Sequence, residues 1–269
     1  MLIAQISDPH VLEPGRLMED RVDTAAGLSS AVDCVSTMRP RPDLILLTGD
    51  LVNDGRREEY RHLAELLAPC DIAMLAVVGN HDDRDLLVEH LGAHIPGRLD
   101  DGAVQYEHQV VVDGRDAVIL VLDTVAPGEH HGELDDGRLG WLADALERHR
   151  SRPVLVVQHH PPFVSGIGFM DAYGLLGAER ELELLRSHPE VVAVVCGHLH
   201  RHATAPLGSV TAITAPSTAA QVACDLAGGR TAYTSEPGAF LLHRWSAGGL
   251  VTHVRPVSAG MVWRPSWAQ

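Results

Sequence analysis

Five short apolar runs in this chain each end in a cluster of polar, metal-capable residues. LIAQIS (2–7) runs into Asp8-Pro9-His10, and DLILLTG (43–49) into Asp50. IAMLAVVG (72–79) runs into Asn80-His81-Asp82-Asp83 and PVLVVQ (153–158) into His159-His160-Pro161-Pro162, while VVAVVC (191–196) leads to Gly197-His198-Leu199-His200. Burying so many polar groups without partners would cost free energy at every strand end. A turn or a helix cap can use one or two of them: Asp82 and Asp83 suit holding the loop or capping the next helix. The others need a common partner.

The runs between these clusters set the fold class. Residues 24–38, 56–68, 134–149 and 178–187 read as helices, the second on the helical spacing of Tyr60, Leu63, Leu66 and Leu67. Residues 104–112 and 116–122 read as strands around the turn Asp113–Asp116, with further strands at 209–215 and 239–245. Continuous apolar strands alternating with helices predict an α/β layered fold covered on both faces. No repeat or low-complexity linker divides residues 1–269, so one domain is expected, with the glycine-bearing stretch 163–177 as a cap or interface loop. The carboxyl ends of strands in such a sheet share an edge where ligands bind, so the five clusters should converge.

Composition narrows the partners. A formal net charge of −15 disfavours long nucleic acid and anionic lipid. No apolar run reaches a membrane span, and MLIAQISDPH has no secretory pattern. Cys34, Cys70, Cys196 and Cys224 lack CxxC spacing, which points to reduced thiols and a cytoplasmic location.

The candidate ligands are Asp8, His10, Asp50, Asn80, His159, His198 and His200. Carboxylate, amide oxygen and imidazole without thiolate suit Fe, Mn, Zn or Co. Seven ligands exceed one tetrahedral zinc and fit two ions, divalent or mixed-valence, sharing one carboxylate. His81 then faces the substrate. Other candidates have plainer readings: His130, His131 and His202 as surface, Asp123 as support for the sheet edge, and Cys196 as a buried apolar filler.

In this order the motifs DPH, GDLVNDG, GNHDD, HHPP and GHLH, with LDT (122–124), resemble the calcineurin-like metallophosphoesterases, nearest to class III cyclic-nucleotide phosphodiesterases and bacterial glycerophosphodiesterases. The resemblance spans nearly the whole chain. It implies a layered β-sandwich of two mixed sheets flanked by helices. It also implies one ion on Asp8, His10 and His200, a second on Asn80, His159 and His198, and Asp50 as the bridge, with His160 behind the ligands. The implied activity is hydrolysis of small phosphodiesters by metal-activated hydroxide; the alternatives are a phosphomonoesterase, a nuclease or an inactive metal-binding scaffold. Asn80 and His81 are the expected catalytic pair, His81 stabilising charge or protonating the leaving alkoxide.

Two further expectations concern the substrate and assembly. Pro216-Ser217-Thr218, followed by Ala219 and Ala220 with no histidine, resembles the cyclic-nucleotide branch, with Phe163 or Tyr173 as the candidate stacking surface. Phe163, Val164, Ile167, Phe169, Met170, Tyr173, Leu175 and Leu176 put much apolar surface into one loop. That predicts a homodimer or higher oligomer with Phe169 or Met170 at the interface, or else a loop folded back on its own core.

Overall fold

The computed structural model describes residues 1–228, 230–258, 260, 263–265 and 267. In chain order the elements are β1 (Leu2–Ile6), α1 (Thr24–Thr37), β2 (Leu44–Thr48), α2 (Arg57–Leu67), β3 (Met74–Val77), α3 (Arg84–Leu91), β4 (Tyr106–Val112) and β5 (Arg115–Val121). There follow β6 (Gly132–Glu133), α4 (Asp136–Arg148), β7 (Val154–Val157), α5 (Gly168–Asp171), β8 (Leu175–Leu176), α6 (Ala178–Arg186) and β9 (Val191–Cys196). The chain ends in β10 (Ala203–Leu207), β11 (Val210–Thr214), β12 (Gln221–Val222), β13 (Tyr233–Thr234), β14 (Ala239–Ser246) and β15 (Gly249–Pro256).

Two mixed sheets carry the fold, with strand orders β15-β14-β1-β2-β3 and β10-β11-β9-β7-β5-β4. In the first, β1, β2 and β3 are parallel and the antiparallel pair β14 and β15 lies on one side only; in the second, β11, β9, β7 and β5 form a parallel centre between antiparallel edges β10 and β4. The alternation of side chains along a strand sorts the second sheet into two faces. Ile119, Val121, Leu155, Val157 and Val195 join the core that also holds Ile3, Ile6 and Leu47 of the first sheet. Their neighbours Val118, Leu120, Val154, Val156 and Val194 pack outward against Leu142 and Leu146 of α4 and Leu185 of α6. Both faces of this sheet are therefore covered, which is why its strands read as unbroken apolar runs. Helices α1 and α2 supply Leu28, Val32, Tyr60 and Leu63 to the first sheet's core.

The five ligand-bearing runs thus divide between sheets, three ending in the first and two in the second, so the clusters meet where two sheets abut and not along one sheet's edge. The loop 163–177 is partly settled on its own chain. Ile167 and Met170 are buried against Leu199 and Val222, and β8 pairs with β6. Met170 is therefore core, whereas Val164 and Leu176 stay exposed and Phe169 lies at the boundary. No helix among the described residues is long and apolar enough to cross a membrane.

Behind the HHPP segment lies a buried carboxyl. Glu181 of α6 is inaccessible to solvent and accepts a hydrogen bond from Gln158 Nε2 at 3.2 Å, while Glu181 Oε1 and Gln158 Oε1 have no partner. Burial pushes its pKa up to about 8, against the lowering effect of Gln158. A carboxyl with a raised folded-state pKa costs stability as pH climbs from its unfolded value towards the folded one. Glu181→Gln, whose amide can also donate to Gln158 Oε1, should raise Tm by about 5 °C at pH 8 and leave it nearly unchanged at pH 5. Thermal melts at the two pH values check this; an equal shift at both would show that ionisation of Glu181 is not the cost.

Candidate metal centre

The seam between the sheets is laced by backbone and imidazole hydrogen bonds. Asp8 N donates to Gly49 O at 3.1 Å and His10 N to Asp50 O at 3.0 Å, joining the ends of β1 and β2. Across the sheets, His159 Nδ1 donates to Thr48 O at 2.9 Å and His198 N to Asp8 Oδ1 at 3.0 Å. The backbone is left-handed at Asp8 (φ 49°), His10 (45°), Asp50 (49°), His198 (69°) and His200 (49°). Non-glycine residues rarely adopt this region, and such conformations gather at functional sites. Two glycines make the approach possible. A Cβ at Gly79 would overlap the Asp50 backbone, and one at Gly197 would overlap Ser7 Oγ and Thr48 O.

The side chains form two sets. Asp8, His10, Asp50 and His200 are all buried, with candidate ligand atoms within 4.8 Å of one another; His159, His160 and His198 form the other set. His10 Nε2 lies 3.0 Å from His200 Nε2, and His200 Nε2 lies 3.6 Å from Asp8 Oδ1. Asp50 Oδ2 stands 3.6 Å from His10 Nε2 and 3.4 Å from His159 Nε2, so it faces both sets. Asn80 Oδ1 is 3.1 Å from His159 Nε2. His159 and His200 each give Nδ1–H to a carbonyl, Thr48 O and Ala220 O, which turns their Nε2 lone pairs inward.

Electrostatics agree with a cation at this seam. Burial would raise the Asp50 pKa, but His159 and His81 outweigh it and hold Asp50 well below the usual carboxylate range. Burial would lower His159, but Asp50 and then Asp8 push it up to about 9. The place a proton takes between His159 and Asp50 is one a cation would occupy. His198, pushed down to about 3 first by burial and then by His159, is a neutral imidazole whose Nε2 has no hydrogen-bond partner. Oxygen and imidazole donors without thiolate, compressed to these distances, fit a pair of divalent ions.

His160 is differently committed. Its Nε2 donates to His130 O at 3.1 Å, leaving Nδ1 to accept from Thr124 Oγ1 at 2.8 Å. Both nitrogens are used, and burial holds the ring neutral. His81 gives Nδ1–H to Asn53 O at 2.7 Å, and its amide donates to Asp50 Oδ1 at 2.9 Å. Although burial would lower its pKa, Asp50 and Asn53 O raise it. Asp82 accepts from the amides of Gly79, Leu51 and Val52, and Asp83 caps α3 through Leu86 N. Asp123 is buried, bonded by Arg84 and by the amides of Val104 and Val125, as sheet-edge support requires.

A cavity of about 150 Å³ opens over the seam, bordered by His10, Asp50, Asn80, His81, His198 and His200. Asp8 and His159 lie buried beneath it. His130, expected at the surface, is solvent-exposed but also borders this cavity, its ring 5.7 Å from His81 and 5.5 Å from Tyr173. Tyr173 lines the mouth, as its proposed stacking role needs, whereas Phe163 packs between two apolar clusters instead. Tyr233 also lines it and was not singled out from sequence. Nothing in the local sequence TAYTSE distinguishes Tyr233; only the folded hairpin brings it here.

Comparison with known proteins is consistent with this geometry. A family model described as calcineurin-like phosphoesterase matches residues 1–202. A probable glycerophosphodiester phosphodiesterase of Arcobacter nitrofigilis is 32% identical over 257 residues, covering 94% of this chain and 92% of that protein. A 3',5'-cyclic adenosine monophosphate phosphodiesterase of Pseudomonas aeruginosa is 31% identical over 223 residues, covering 83% of this chain and 78% of that protein. A crystal structure of a dimetal phosphatase from Danio rerio shares the fold with TM-score 0.72 at 18% identity, covering 96% of both chains.

The two adjacent histidines should respond differently to truncation. His159→Ala should lose about one metal equivalent per chain, whereas His160→Ala should retain the metal and lose about 10–100-fold in affinity or activity. Elemental analysis and metal titration of both variants check this; the reverse order would move the ligand role to His160.

Proposed function

Because the chain belongs to the calcineurin-like phosphoesterase family, we propose that it is a dimetal phosphodiesterase acting on small phosphodiesters. In this reading Asp8, His10 and His200 would hold one ion, and Asn80, His159 and His198 the other, with Asp50 shared between them. The observation that carries it is the placement of Asp50 Oδ2 between His10 Nε2 and His159 Nε2, 3.6 and 3.4 Å away, with no thiolate in the set. Two divalent ions bound there supply Lewis-acid stabilisation of the phosphoryl oxygens and a nucleophile at neutral pH. Fe, Mn, Zn and Co all suit the donors.

The chain's own residues do the rest. His81 presents Nε2 at the cavity because Nδ1 is committed to Asn53 O, and its raised pKa favours the protonated ring. It donates that proton to the departing oxygen. Asn80 borders the same space and orients the phosphoryl group. His160, saturated by Thr124 and His130, fixes the segment that carries His159. We read residues 1–269 as one domain, which the continuous core across both sheets supports. A homo-oligomer is supported by the apolar Val164, Leu176 and Phe169, 82%, 55% and 37% exposed on one loop. A cytoplasmic location is supported by four free cysteines.

Metal-loaded protein should hydrolyse bis(p-nitrophenyl) phosphate faster than p-nitrophenyl phosphate and lose both activities on chelation. A faster monoester rate would replace the phosphodiesterase reading with a phosphatase.

His81→Ala should keep both ions and lower kcat for diesters with alkyl leaving groups by about 10²–10⁴-fold. The loss should be much smaller for aryl leaving groups, which depart without a proton. Steady-state kinetics on matched alkyl and aryl diesters check it; equal losses would show that His81 is not the acid.

A further inference from the structure

The cavity over the seam, about 150 Å³, is small beside the roughly 300–1,000 Å³ of sites that enclose a whole small molecule. It has room for a phosphoryl group and its nearest atoms. A diester carries a second substituent that must lie elsewhere. A neighbouring cavity of about 580 Å³ is lined by Met18, Glu19, Arg21, Val22 and Tyr233, and Tyr233 borders both spaces. Ala220, which accepts the Nδ1–H of His200, also lines the larger cavity. The two spaces are therefore compartments of one site, and the Tyr233 ring is the partition.

The partition is held in place by structure on both sides. Val222 pairs with Tyr233 in the β12–β13 hairpin, and Ala223 N donates to Ala232 O at 2.7 Å. The Tyr233 ring lies 6.0 Å from the His200 ring, tilted by 51°, yet the residue is 45% exposed, so one face of the site is unfilled. Opposite, a tight reversal closes between Met18 and Val22, and Met18 packs on Leu12 and Ala220. That reversal sets an apolar floor and brings Glu19 and Arg21 to the rim. Glu19 lines the same cavity as Tyr233, and burial and then the charge of Glu19 raise the Tyr233 pKa.

Resting on the phosphodiesterase reading, we propose that the outer compartment receives the base of a nucleoside phosphodiester, with Tyr233 as its stacking surface. An aromatic face beside Met18 and Val22 rewards a flat ring, and sequence-tolerant stacking on a tyrosine is the usual way a base is held. A carboxylate and a guanidinium at the rim match a base edge that offers both donors and acceptors. A glycerol-type substituent would leave the aromatic and apolar surface uncovered. Tyr233 is thus a specificity determinant, distinct from Phe163 and Tyr173.

The test compares kcat/KM for 3',5'-cyclic AMP with that for glycerophosphoethanolamine in wild type, Tyr233→Leu and Tyr233→Phe, and measures AMP binding to the metal-loaded proteins by calorimetry. The selectivity ratio and the AMP affinity should each fall about 10-fold in Tyr233→Leu and be kept in Tyr233→Phe. An unchanged ratio in Tyr233→Leu, or an equal fall in Tyr233→Phe, overturns the proposal while leaving the phosphodiesterase reading intact. A wild type that cleaves no diester but binds AMP in a Tyr233-dependent way overturns that reading and supports this one. A wild type that does not bind AMP overturns this one.

Discussion

Two carboxylates, Asp8 and Asp50, lie buried where the two sheets meet, and the surrounding structure is arranged to offset that burial. An uncompensated buried carboxylate costs several kcal/mol. Asp8 is served by Ser7 Oγ at 2.5 Å and by the amide of His198 from the opposite sheet. Asp50 is served by the amide of His81 and faces the imidazoles of His10 and His159. Because the compensating groups come from both sheets, the packing of the sandwich and the assembly of the site are one arrangement. A pair of divalent ions would complete it, supplying the positive charge that the imidazoles offer only in part.

The same demand explains the backbone. The chain turns sharply after β1, β2 and β9, and Asp8, His10, Asp50, His198 and His200 absorb those turns in left-handed conformations. These cost of order 1–3 kcal/mol each. Gly79 and Gly197 belong to this arrangement and not merely to turns, since a side chain at either would displace the partner motif.

Much of this was legible in the sequence because the signals are local. Continuous apolar runs betray strands covered on both faces, and a ligand cluster after each run marks the functional end. What was not legible depends on pairing between distant segments. Residues alone could not assign β1, β2 and β3 to one sheet and β7 and β9 to the other. The strand β15 escaped notice because GLVTHVRP lies largely exposed beside β14 and carries no apolar face. Proline in ATAPL masked β10 on a sheet edge, where a missing donor is tolerated. His130 sits in a polar loop and Tyr233 in a two-residue strand, both without a motif, and only the folded chain brings them to the cavity. The sequence leaves the apolar loop 163–177 open between a cap, an interface and a fold back onto its own core, and Ile167 and Met170 take the last of these by burying themselves with Leu199 and Val222.

In the proposed centre one carboxylate, Asp50, would hold two ions together. The most direct measurement is metal content per folded chain, by elemental analysis, in wild type and in Asp50→Ala, with circular dichroism showing that the variant is folded. Wild type should carry two equivalents, and the variant should lose metal from both positions to below one equivalent. A folded Asp50→Ala chain that still carries two equivalents would contradict it.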